Sequence, residues 1–340
     1  MRRTLTYLFI TALIIGCVST QSFTADYAES SRSDYSLCDL PSIPEQDVDI
    51  GLWALVIAKE CDSSVQINKY LHTLDTMALR IQYMVGPREG DMVRLLMTKM
   101  YQFEPGEWNS GNIFSYDLND PFGEQPGARL LTTYLDTRKG NCVSMPTLFL
   151  ALMERVAPDV PFNGVSAPLH LFCRLHDRQD GNIWNVESTN GGEPAREQWY
   201  IKTLGISRLA IDSGSYMRDL TKKDFIAELL GILVSKYRNA REYEKALDFA
   251  ELMLKLNPRS LNGLVQKGAL LAWVGLTLQE QLMVQQRHPS AEEADKLGLY
   301  KVESDKYIER ARTLGWEPET PGSREDYLRT IRAAQSIGSK

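Results

Sequence analysis

The chain has 340 residues, 43% hydrophobic and 24% charged, which suits one large or two ordinary globular domains and excludes a chain disordered throughout. Its formal charge is −6. Such a chain lacks the basic field that neutralises phosphates, so no nucleic-acid partner is expected.

At the N-terminus, Met1-Arg2-Arg3 precedes the apolar run TLTYLFITALII. About a dozen residues are too few to span a hydrocarbon core of roughly 30 Å, so the run reads as a secretory signal. Ile14-Ile15-Gly16-Cys17 resembles the bacterial lipobox, which implies a signal peptide over 1–16 and a diacylglycerol on Cys17. A cut after Ala25 would instead leave Phe23 in a poor small-x-small site. The resemblance implies a lipoprotein on the periplasmic face of a bacterial envelope membrane. The outer membrane is the expected one, since Val18 stands where aspartate would mark inner-membrane retention. Residues 17–36 are rich in Ser, Thr and acidic residues without apolar period, as in a solvated tether. Of the four remaining cysteines, Cys38 and Cys61 flank one short segment. In an oxidising compartment they are expected to form a disulfide that leaves Cys142 free.

From Val48 to Met84 apolar residues recur at helical spacing in DIGLWALVIAKE and INKYLHTLDTMALRIQYM, which predicts two helices. A third, DMVRLLMTKMYQF, is expected with Asp91 as its cap. The turn-rich GEWNSGNIFSYDLNDPFGEQPG reads as a long loop. ARLLTTYLDTRKGNCVSMPTLFLALMERVAP reads as a short helix, a break at Gly140 and a buried helix stopping at Pro158. Pro146 is tolerable only in a first turn, which places Cys142 at the start of that helix. Downstream, FNGVSAP, LHLFCRLH, NIWNVES and WYIKTL are strand-like patches. Helices first and strands after predict an α+β domain, a helix laid on an antiparallel sheet, over 37–212. Residues 213–340 are expected to be all helical. Leu230, Leu233, Tyr237, Ala246, Ala250 and Pro258 fall at spacings that resemble a tetratricopeptide repeat, and Leu264, Gly268 and Leu271 repeat its start.

The chemistry-bearing run is RKGNCVSMP. A cysteine at a helix start sits among unpaired N–H groups and the positive end of the helix dipole, which favour the thiolate. His170 follows in APLHLFCRL and Glu187 in NIWNVESTNGG, a cysteine, histidine and carboxylate in order. Strand alternation puts His170, Phe172 and Arg174 on one face and Leu171, Cys173 and Leu175 on the other. A zinc site from His170, Cys173 and His176 is therefore disfavoured, since Cys173 faces away from both histidines. Trp184, Trp199 and Tyr200 are expected to pack the sheet.

From about Asp49 to Gly192 the chain resembles the transglutaminase-like superfamily of cysteine enzymes, in the bacterial branch that continues into tetratricopeptide-like helices. The carriers are RKGNCVSMPTLFLALMERV, GVSAPLHLFCRL and WNVESTNGG. The resemblance implies Cys142 as nucleophile, His170 as its base and Glu187, in place of the family's aspartate, as the carboxylate that orients the ring. It implies an exported enzyme acting on peptide or isopeptide amides of a protein or peptide, with hydrolysis favoured over transamidation and neither metal nor organic cofactor. The alternative is a non-catalytic, envelope-anchored scaffold that binds a partner through its helical repeats.

Overall fold

The computed structural model describes residues 35–319, 322, 324–329 and 332. The expected leader, Cys17 and the tether through residue 34 lie outside the described residues. The apolar period of DIGLWALVIAKE closes into helix α1 (Ile50–Cys61), capped by Asp49, whose Oδ1 accepts from the Leu52 N–H at 2.9 Å. Helix α2 (Ile67–Val85) buries its Leu71, Leu74, Ala78 and Ile81 face and stops at Gly86. Helix α3 (Asp91–Phe103) differs from expectation at its start. Gly90 is the cap residue, and Asp91 lies in the first turn, where Arg178 takes both carboxylate oxygens at 2.7 and 2.8 Å. A carboxylate 2% exposed is satisfied better by a guanidinium fork than by a lone N–H.

The expected long loop holds in outline, with one use for its middle. Strand β1 (Ser115–Tyr116) pairs in parallel with β2 (Lys139–Gly140), beyond the short helix α4 (Leu131–Thr137). The loop is thereby stitched to the residues just ahead of Cys142.

Helix α5 (Ser144–Val156) is the centre of the domain and packs against α1, α2 and α3. Its last-turn Arg155 reaches Asp49 and Asp75, both at 2.9 Å, and so fixes α5 to α1 and α2. On its other side lies an antiparallel sheet in the order β3 (Phe162–Ala167), β4 (His170–His176), β5 (Ile183–Glu187), β6 (Glu193–Ala195). The mixed α+β architecture is as expected. The fourth strand is not WYIKTL, which forms helix α6 (Glu197–Thr203). Tyr200 is buried in the core and Leu204, the residue that ends the helix, packs partly against it, and this packing overrides the strand preference of Trp-Tyr-Ile.

Beyond α7 (Arg208–Asp212) come α8 (Lys222–Asn239), α9 (Tyr243–Leu256), α10 (Leu261–Val284) and α11 (Ala291–Thr313). Each of these last four packs on the next, and α8 also packs against α1 and β3. Gly268 sits where a Cβ would come within 2.9 Å of Ile308, and Ser304 Oγ donates to its carbonyl at 2.8 Å, so α10 and α11 approach closely there. Among the described residues no helix is long and apolar enough to cross a membrane.

The expected Cys38–Cys61 disulfide is absent, and both thiols are free. Lys223, in the first turn of α8, holds the Pro41 carbonyl, while Lys236, in the last turn, holds the Cys61 carbonyl. At about 1.5 Å per residue these anchor points lie roughly 20 Å apart along α8, far beyond the reach of one bridge.

Candidate active site

Cys142 lies in a turn two residues ahead of α5, and its neighbours build that turn. The Asn141 Oδ1 accepts from the Val143 and Ser144 N–H groups at 3.0 and 3.3 Å, while the Asn141 N–H donates to Ser144 Oγ at 3.1 Å. The Asn141 amide also donates to the Ala128 carbonyl at 3.0 Å. Two otherwise orphaned N–H groups at the helix start are thus satisfied from the residue next to the cysteine. Gly140 is required by close approach: a Cβ there would meet the Tyr134 ring at 2.6 Å and Ser144 Oγ at 2.8 Å. Gly140→Ala is expected to lower stability by about 1–3 kcal/mol through overpacking. Gly127→Ala, where nothing lies within 4 Å, serves as the near-neutral control in the same denaturant titration.

His170 is delivered by the β3–β4 hairpin. The pairing of Ala167 with His170 leaves a two-residue turn, Pro168-Leu169, with Leu169 in the left-handed region at φ 57°. Proline at the first turn position presets the bend. A leucine in the second adopts a conformation that costs of order 1 kcal/mol. Its carbonyl faces the site and accepts from the Cys142 thiol at 3.4 Å. Along β4 the alternation is as expected. The Cys173 thiol turns toward α5 and the Pro146 carbonyl at 3.8 Å, whereas His170 and Phe172 share a face with Tyr200. The Cys142 sulfur lies beside the His170 ring, close enough to favour its charged form.

Glu187 closes the constellation. Its Oε2 lies 2.7 Å from His170 Nε2 and accepts from the Tyr200 hydroxyl at 2.9 Å; its Oε1 accepts from the Thr189 N–H at 3.0 Å and hydroxyl at 2.6 Å. The extra methylene relative to aspartate is absorbed without loss of hydrogen-bond contact. Cys142, His170 and Glu187 are 5%, 3% and 4% exposed. Burial pulls the His170 pKa down, but the Glu187 charge, with Cys142 beside the ring, outweighs it and pushes the value up to about 10. Burial likewise opposes ionisation of Glu187, and the imidazolium, Thr189 and Tyr200 together hold its carboxyl below the ordinary range. The pair is therefore an ion pair at neutral pH.

The second ring nitrogen has a partner that sequence spacing does not announce. The Tyr327 hydroxyl lies 2.8 Å from His170 Nδ1, brought from the C-terminal segment. A cleft of about 610 Å³ opens beside Cys142 and His170, with Phe122, Arg129, Lys202 and Trp316 among its walls. His176, proposed as a partner in the zinc alternative, is instead 2.6 Å from Asp219. Among the described residues no cluster of three or more His, Cys, Asp or Glu side chains could hold a metal ion. The sequence pattern points to no role for Asn141, Thr189 or Tyr327, and for Tyr200 to packing or to lining the cleft rather than to a bond with Glu187. An asparagine just before a helix is a recognisable turn signal that would have flagged Asn141.

Residues 68–230 match the family model Transglut_core2, the transglutaminase-like superfamily. This stretch is similar to that superfamily. Its match takes in Cys142, His170 and Glu187 and runs on into α8. The chain is 27% identical over 127 residues to a UPF0162 protein of Buchnera aphidicola subsp. Baizongia pistaciae, covering 37% of this chain and 46% of that one. It is 27% identical over 171 residues to Protein SirB1 of Salmonella typhimurium, covering 49% and 59% respectively. The chain thus spans about half the length of the curated relatives it matches. No solved structure matches.

Proposed function

We propose that the transglutaminase-like stretch is a cysteine enzyme that cleaves amides, with Cys142 as nucleophile, His170 as proton carrier and Glu187 as the group that holds His170. The observation that carries this reading is the His170 ring, fixed through Nε2 by a four-bonded carboxylate with the Cys142 sulfur beside it. The thiolate form of Cys142, facing the His170 imidazolium, attacks the amide carbonyl; a carbon–sulfur bond forms and the carbonyl π pair moves onto oxygen. The carbon–nitrogen bond then breaks as His170 passes its proton to the leaving amine. Water, deprotonated by the now neutral His170, attacks the thioester; the carbon–sulfur bond breaks, the acid leaves, and thiolate and imidazolium stand as at the start. Glu187 stabilises the imidazolium throughout and is not itself protonated. The Cys142 N–H at the helix start is suited to stabilising the oxyanion.

Hydrolysis is favoured over transfer to an amine, because a thioester must be shielded from water to await an amine. Export as a lipoprotein through Cys17, and tetratricopeptide-like capture of a protein by α8 to α11, complete the reading as proposals that rest on the sequence patterns. The first test is chemical. Chloroacetamide at pH 7 is expected to alkylate Cys142 faster than Cys173, read by mass spectrometry of the separate peptides. Equal rates at the two thiols would sink the enzyme and leave the anchored scaffold.

A further inference from the structure

A segment near the C-terminus lies against the candidate site. Residues 324–329 are helical, and Tyr327, 3% exposed, fills the space over His170 with ring centroids 5.8 Å apart. Outside it, the Phe122 ring lies 5.7 Å from the Tyr327 ring, and the Arg324 guanidinium sits over Phe122 at 5.2 Å and reaches Glu124 at 3.5 Å.

With Nε2 committed to Glu187, Nδ1 is the one nitrogen left to exchange a proton with the sulfur. A ring nitrogen offers a single hydrogen or a single lone pair. While Nδ1 is engaged by the phenol at 2.8 Å that nitrogen is shared with a second group, and the Cys142 thiol donates to the Leu169 carbonyl. The sulfur is also little exposed: a carbonyl must come within about 3–3.5 Å of it to react, and Cys142 is 5% exposed. The Tyr327 ring walls the same cleft that holds Cys142 and His170. The outer anchors are a half-exposed arginine and a largely exposed glutamate, a pair that salt screens, so the closure is releasable.

We propose that the segment around Tyr327 is an intramolecular inhibitor of Cys142, a plug seated by an aromatic side chain in the Phe122–His170 pocket. The proposal rests on Cys142 being the nucleophile. Substrate enters only when the plug lifts, so a partner that binds residues 324–329 acts as an activator.

The test compares chloroacetamide alkylation of Cys142 in the full-length chain and its variants, with exposed Cys38 as internal reference. Tyr327→Ala is expected to raise the Cys142 rate at least about tenfold, as for a site open about a tenth of the time or less. Adding p-cresol, which refills the vacated pocket, is expected to slow it again. Arg324→Ala, which only loosens the anchor, is expected to give a smaller rise. An unchanged rate in Tyr327→Ala would overturn the plug. A rise that p-cresol does not reverse would overturn it too, by pointing to general loosening. A His170→Gln chain separates this failure from that of the catalytic reading. If His170→Gln slows Cys142 while Tyr327→Ala leaves it unchanged, the nucleophile stands and the plug falls. If His170→Gln leaves the rate unchanged even when combined with Tyr327→Ala, the nucleophile itself falls.

Discussion

Glu187→Ala lowers the stability of the folded chain by about 3–5 kcal/mol, the loss expected when one member of a buried ion pair is removed. The deletion strands His170 Nε2 and the Tyr200 hydroxyl in a pocket with almost no solvent. Glu187→Gln keeps the volume and isolates the charge, so its deficit depends on pH. Glu187 has a lowered folded pKa, so its contribution is present above the unfolded value of about 4.3 and is lost as pH falls through the lower folded one. His170 has a raised folded pKa, so its contribution is complete below the unfolded value of about 6.5. It fades as pH rises through the folded value of about 10. The gap between wild type and Glu187→Gln should therefore be widest between roughly pH 4.5 and 6.5 and narrow toward pH 10. Urea titrations at pH 5.5, 7.5 and 9.5 measure it. A gap that stays constant or widens with pH would show that the pair is not ionised as its surroundings dictate.

His170→Gln slows alkylation of Cys142, and it lowers any amide hydrolysis the chain performs by about 10²–10⁴-fold, the usual worth of a positioned acid–base group in a catalysed reaction. Glutamine keeps a donor toward Glu187 Oε2 and most of the volume, so a loss of rate is not a loss of fold. What it cannot do is exchange a proton with sulfur. Thermal melts of the same samples, with near-UV circular dichroism, confirm that the site remains packed. A reduction smaller than about fivefold in a folded chain would remove His170 from the reaction and return the chain to the scaffold reading.

Both results bear on how much of the molecule is written locally. Apolar period located α1, α2, α3 and α5 because a helix that buries one face must repeat near every 3.6 residues. The alternation of LHLFCRLH gave β4 and set His170 opposite Cys173. Pro146 placed Cys142 before α5 on backbone sterics alone. Local reading failed at WYIKTL, where strand preference lost to the packing of Tyr200 on Phe172 at 4.0 Å. It failed again at Cys38 and Cys61, whose separation is set by the length of α8 beside them.

The order of cysteine, histidine and carboxylate, and the faces those side chains occupy, was therefore determined by the sequence itself, through short-range periodicities that need no third dimension. Their meeting was decided by the tertiary structure. The reach of the Cys142 thiol to the Leu169 carbonyl, the grip of Thr189 and Tyr200 on Glu187 and the arrival of Tyr327 are contacts between segments. Tyr327 lies 157 residues from the ring it touches. No local period encodes such a distance, because which segment fills the space over His170 is settled only when the whole core packs.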